Sequence, residues 1–155
     1  NRSLVALYAT RQRQRRREQQ ERARRAVGIQ PDLRGQALAA RPVPPGAVIV
    51  GVTTLDLFVP VFTFVFGEAQ APGPAAVISA HRLREEFYGL PANPELLLER
   101  LMKELLHELG HTQGLRHCAD WRCVMSSAHT VERIDVRQAA FCADCARLLH
   151  NRGRP

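Results

Sequence analysis

From residue 47 onward the apolar positions fall in short runs rich in β-branched and aromatic side chains, and three of these runs, 47–52, 62–66 and 75–80, predict strands. Pro60, Gly67 and the turn Ala71-Pro72-Gly73-Pro74 punctuate them. Phe62, Phe64 and Phe66 occupy alternate positions, so one face of that strand is expected to rest on something apolar.

Further along, the period changes from that of a strand to that of a helix. Residues 93–114 predict a long helix: Asn93 is a good N-cap, Pro94 suits the first helical position, Glu95 and Glu99 favour the positive end of the dipole, and Gly114 is a stop. Leu97, Leu98, Leu101, Met102, Leu105, Leu106 and Leu109 cover about half the circumference, and this side is expected to pack into the core. The opposite side carries Arg100, Lys103, Glu104, His107 and His111, and is expected to face a cleft or solvent.

The N-terminal part lacks such a pattern. Residues 11–25 are good helix formers with almost no apolar stripe, which reads as a solvated helix or arm, and residues 31–46 are rich in Pro, Gly and Ala and read as a linker. The formal charge of +7 belongs to this segment: residues 1–25 hold nine Arg against two Glu, and the rest of the chain holds 13 basic and 13 acidic groups. A balanced body argues against nucleic acid as a partner. No apolar run approaches the roughly 20 residues of a membrane span, and residues 3–9 do not read as a signal peptide. The 155 residues are expected to form a single domain, with a basic N-terminal segment (1–30), a sheet and long helix (47–116) and a C-terminal subdomain (117–150).

Candidate chemistry is concentrated late in the chain, where five of the six His and all four Cys follow residue 106. Residues 107–117 read HELGHTQGLRH. His107 and His111 lie four apart and project from neighbouring turns of one helical face, so their imidazoles can converge on one ion. Gly114 is free to take a left-handed conformation, which would end the helix and bring His117 back as a third ligand. Three neutral His leave zinc with an open position, the arrangement of a catalytic site. Glu108 stands beside these ligands without being needed as one. It is placed to take a proton from a zinc-bound water as that water attacks a carbonyl, and to pass it to the departing amine.

Cys118, Cys123, Cys142 and Cys145 form two close pairs, which signals a structural zinc, with two disulfides as the alternative. The zinc reading implies a reducing compartment, the cytoplasm. His117 and Cys118 are neighbours that would serve different ions, so the two zincs are expected on the order of 10 Å apart rather than as a bridged pair.

At HELGHTQGLRHC followed by Cys118, Cys123, Met125, Cys142 and Cys145, the chain resembles the archaemetzincins, a family of metzincin metallopeptidases. GVTTLDLF (51–58), FVFGEA (64–69), Ser79, Arg82-Leu83, Arg100 and Lys103-Glu104 extend the likeness over roughly residues 46–148. The resemblance implies a zincin-like α+β fold, with a twisted mixed sheet, an active-site helix and a small zinc-stabilised C-terminal subdomain. It implies that His107, His111 and His117 bind a catalytic zinc, that Glu108 is the base, and that Met125 is the Met-turn residue forming an apolar floor under the ligands. The chain departs from the pattern in three places. Only 16 residues separate Met125 from Cys142, Thr63 stands where Asn is usual, and no Tyr follows Tyr88, which leaves the oxyanion stabiliser unassigned.

These readings converge on a zinc metallopeptidase, expected to be a monomer acting on peptide or protein with two Zn2+ per chain. Its substrate is expected to pair with the edge of strand 75–80 or of strand 62–66. The competing reading is a catalytically silent, zinc-stabilised binding module that uses the basic N-terminal segment. It predicts that Glu108 is dispensable.

Overall fold

The structure, a computed structural model, describes residues 44–59 and 62–152, so the Arg-rich segment, most of the Pro- and Gly-rich stretch and Pro60 lie outside the described residues. The described elements follow in the order β1 (Ile49–Thr53), β2 (Leu57–Val59), β3 (Phe62–Val65), β4 (Gly67–Ala69), β5 (Ala75–Ser79), a 3-10 turn (Glu85–Tyr88), α1 (Pro94–Thr112), α2 (Val131–Asp135) and α3 (Ala143–Arg152). This is the expected α+β class.

The run at 62–66 divides where Phe66 passes the chain from one sheet to another. β3 pairs antiparallel with β2, and β4 pairs antiparallel with β5. β5 also pairs in parallel with β1, from Ile49 opposite Ala75 to Thr53 opposite Ser79, which makes a mixed sheet in the order β1-β5-β4. All five β5 residues are buried, as a central strand covered on both faces requires. β5 therefore has no free edge for a substrate, whereas β3, in the separate hairpin, pairs on one side only among the described residues and borders the cleft. The strand of the mixed sheet that borders the cleft is β4.

α1 begins and ends on local signals. Asn93 Oδ1 accepts the Leu96 N–H at 3.1 Å, and Pro94 takes the first helical position. At the far end Gly114 adopts φ 79°, its N–H reaches the His111 carbonyl at 2.7 Å, and the Leu115 N–H reaches the Gly110 carbonyl at 2.9 Å. This double bond pattern is a Schellman stop, which shortens the helix to Thr112.

The burial of α1 matches the expectation from its sequence only in part. Arg100, Lys103 and Glu104 are each 3% exposed, whereas Leu98 is 62% and Met102 45% exposed. Leu97 and Leu101 do reach a core cluster of Phe66, Leu83, Val131 and Ile134, and Leu106 joins a second cluster around Leu115, Val124 and Met125. The polar side is covered because partners arrive from elsewhere in the chain. Arg100 makes a two-pronged pair with Asp135 (2.7 Å each) and a third bond to Glu85 (2.6 Å). Lys103 donates to the Asp135 carbonyl at 2.9 Å and pairs with Glu99 at 2.6 Å, and Glu104 pairs with Arg137 at 3.1 Å. Charges leave water at tolerable cost when each finds such a partner.

Candidate functional site

His107 and His111 face each other on α1 with their Nε2 atoms 3.1 Å apart. Each ring is oriented from behind by a backbone carbonyl: His107 Nδ1 donates to Val124 O at 2.7 Å and His111 Nδ1 to Leu115 O at 2.8 Å. A carbonyl can only accept, so the proton resides on each Nδ1 and both Nε2 lone pairs point at a common spot. The Gly114 turn serves twice here, since it delivers the Leu115 carbonyl to His111 and reverses the chain toward His117. The His117 ring stands 5.3 Å from that of His107 and 5.0 Å from that of His111, centre to centre. One ring nitrogen from each of the three lies within 4.8 Å of the others, a donor set suited to a tetrahedral zinc with a position left open. Burial and the nearby Arg137 charge lower the His107 pKa to about 3, so the imidazole is held neutral, as a ligand must be.

Glu108 is 4% exposed and lies against β4. Burial, followed by the negative charges of Glu104 and Glu68, raises its pKa well above the usual carboxylate range. A carboxyl placed in this way readily holds a proton, and a cation among the imidazoles would offset the shift. Met125 is fully buried, and a Cβ at Gly110 would overlap its sulfur, so α1 needs glycine there to sit directly on the methionine. Cys118 N–H donates to the Met125 carbonyl at 2.9 Å, which ties the residue after His117 to the same floor.

A cavity of about 480 Å³ opens over these groups, bounded by Thr63–Ala69 on the strand side and by Ser127, Ala128 and His129 on the other. A more open hollow of about 540 Å³ near Glu85, Leu90 and Glu95 holds no comparable set of side chains.

The four cysteines are brought together as well. All are free thiols, their sulfurs lie within 4.8 Å of one another, and Cys118 Sγ is 3.8 Å from Cys142 Sγ. A sulfur tetrahedron around zinc with bonds of about 2.3 Å has edges of roughly 3.8 Å, whereas a disulfide needs about 2.05 Å. Burial raises the Cys118 and Cys145 pKa values, while the backbone hydrogen bond from Cys145 lowers that of Cys142. The donor set fits a zinc ion, which would stabilise all four as thiolates.

The geometry thus gathers the three predicted His with Glu108, packs Met125 against Gly110 of the same helix and assembles the predicted Cys cluster. It adds residues that spacing alone did not single out as functional: Gly67 against Glu108, and Arg137 behind His107.

Known proteins resemble this chain in sequence and in fold. Residues 38–151 match the model of Peptidase family M54. The archaemetzincin of Thermococcus kodakarensis is 49% identical over 100 residues, covering 64% of this chain and 54% of that protein. The archaemetzincin of Methanocaldococcus jannaschii is 44% identical over 106 residues, covering 68% of this chain and 59% of that protein. The chain therefore spans about half the length of the curated relatives it matches. Among solved structures, the archaemetzincin of Methanopyrus kandleri superposes with a TM-score of 0.72 at 40% identity, covering 81% of this chain and 66% of that one. A zinc-dependent peptidase of Methanocorpusculum labreanum gives 0.66 at 32% identity, covering 76% and 69%. With most of its length matched by the family model and its fold shared with solved archaemetzincins, the chain belongs to peptidase family M54.

Proposed function

We propose that this protein is a zinc-dependent peptidase with His107, His111 and His117 as ligands of a catalytic zinc and Glu108 as general base. The observation that carries the reading is the meeting of three ligand nitrogens within 4.8 Å of one another beside a buried carboxyl. A zinc ion held there would supply a Lewis acid, able to polarise the scissile carbonyl and to lower the pKa of a water molecule to about 7. Glu108 accepts the proton of the attacking water at a carboxylate oxygen and delivers it to the leaving amine nitrogen. The peptide backbone lies along the outer edge of β4, which brings its carbonyl to Glu108 past the bare Cα of Gly67.

Cys118, Cys123, Cys142 and Cys145 hold a second, structural zinc that ties the segment after His117 to α3, giving two Zn2+ per chain. The subdomain at 117–150 is built around this clamp, and a reducing cytoplasm keeps its thiols available. The substrate is a peptide or protein and the working unit a monomer. Among the described residues no helix is long and apolar enough to cross a membrane.

The test is hydrolysis of a broad peptide library by zinc-loaded protein. Cleavage by the parent, with a loss of 10²–10⁴-fold in Glu108→Gln, is the expected result. An untouched library, or equal rates in parent and variant, overturns the reading.

A further inference from the structure

Arg137 lies two residues beyond the end of α2, and its side chain is only 1% exposed. Its Nη1 donates to Glu104 Oε1 at 3.1 Å and to the Val124 carbonyl at 3.3 Å, and it lies 3.3 Å from His107 Nδ1. Nη1 and the His107 Nδ1–H are both donors, so they do not bond each other. They meet at a shared acceptor, the Val124 carbonyl, which has a lone pair for each. Among the described residues Arg137 Nε finds no partner. A buried guanidinium that leaves one of its own donors unsatisfied accepts a cost, and what it gains is the set of contacts made by Nη1.

We propose that Arg137 is a positioning residue for the metal centre: held by Glu104, it braces the Val124 carbonyl that orients the His107 ring. The proposal rests on His107 being a metal ligand. Val124 is also tied by its N–H to the Ala140 carbonyl at 3.0 Å, so the backbone of this residue is held at both its N–H and its carbonyl. Glu104 lies three residues before His107 on the same buried side of α1. Without a cation to occupy it, Glu104 is an alternative acceptor for the His107 Nδ1–H. A ring turned toward Glu104 carries its Nε2 away from the spot shared with His111. Arg137 therefore acts twice, by fixing the correct acceptor and by occupying the wrong one.

The experiment titrates metal-free protein with Co2+ alone. Absorption in the visible separates the His site from the sulfur site, whose thiolate charge-transfer bands lie at shorter wavelength, and chelator competition gives the affinity of each. Arg137→Met is expected to weaken the His site by about 10–100-fold, the usual cost of losing such an outer contact, with the sulfur site unchanged. Arg137→Lys, which keeps the charge on Glu104, is expected to recover most of that loss. Should Arg137→Met fail to fold, the double variant Glu104→Gln/Arg137→Met leaves no lone buried charge and still removes the brace on Val124, so the same weakening is expected. Parent and variant binding Co2+ equally at the His site overturns this proposal alone. A parent whose His site takes no Co2+ overturns the peptidase reading and this proposal with it.

Discussion

Gly67 and Glu108 are packed so closely that a Cβ on the glycine would stand 2.6 Å from Glu108 Oε1. β4 thus forms a wall against the proposed base, and glycine is the one residue that leaves the carboxyl its room. Gly67→Ala is expected to push the carboxyl aside and lower kcat/KM by about 100-fold, the effect of roughly 1 Å of misplacement at a reacting group. The accompanying loss of stability should be about 1–3 kcal/mol, as for other overpacked sites. Peptide cleavage rates together with urea unfolding check both figures, and a fully active Gly67→Ala would refute the placement.

Glu108 carries a second, independent signature. Because burial and the charges of Glu104 and Glu68 raise its pKa in the folded protein, the folded state holds this proton more tightly than the unfolded chain. Its contribution to stability is complete below the unfolded value near 4.5 and is lost as pH rises through the folded one. Glu108→Gln removes that loss. Metal-free Glu108→Gln is therefore expected to be more stable than the metal-free parent at pH 8, with the gap closing toward pH 4. Urea unfolding across that range tests it, and a gap that widens on acidification would contradict the assignment.

Gly114 links local sequence to the third ligand. At φ 79° an alanine costs about 1–2 kcal/mol, and relief of that strain would move both the Leu115 carbonyl behind His111 and the chain leading to His117. Gly114→Ala should weaken the His site for metal while sparing the sulfur site. Competition with a chelator measures this, and an unaltered His site would show that the turn does not position the ligands.

The parts legible in the sequence share one property, which is that their signals are local. Asn93, Pro94 and Gly114 mark the ends of α1 by their own backbone chemistry, and the spacing of His107, Glu108 and His111 places them on one helical side whatever surrounds the helix. The Cys pairs are similar, since two short spacings bring four sulfurs within reach of two loops. β2 and α2 were not legible, because Leu57–Val59 has three residues and Val131–Asp135 five, too few to display a period. The buried side of α1 was misread in part, for a different reason. Arg100 and Glu104 look solvated in sequence because their partners Asp135 and Arg137 lie 35 and 33 residues away, and amphipathic patterning assumes that charge prefers water over charge. Met125 against Gly110 is a further contact that no local pattern shows, since the two residues lie far apart in sequence and meet only through packing.

His107 makes a pH prediction whose sign is opposite to that of Glu108. Its pKa falls from 6.5 to about 3 in the fold, chiefly through burial, so below pH 6.5 the unfolded chain takes up a proton that the folded protein refuses. Stability from this group is complete above pH 6.5 and is lost as pH falls toward 3, at up to about 1.4 kcal/mol per pH unit. The buried carboxyls titrate over part of the same range with the other sign, so the parent alone would blur the effect. Taking the difference between metal-free parent and metal-free His107→Gln cancels most of the carboxyl contribution. That difference is expected to be flat from pH 8 to 6.5 and then to shift steadily against the parent on acidification. In the zinc-loaded protein the same proton competes with the metal for His107 Nε2, so the parent should release the His-site metal on acidification before the fold itself is lost. Urea unfolding at half-unit steps, read beside metal release, tests both statements, and a parent-to-variant difference independent of pH would place His107 in contact with water rather than behind Val124 and Arg137.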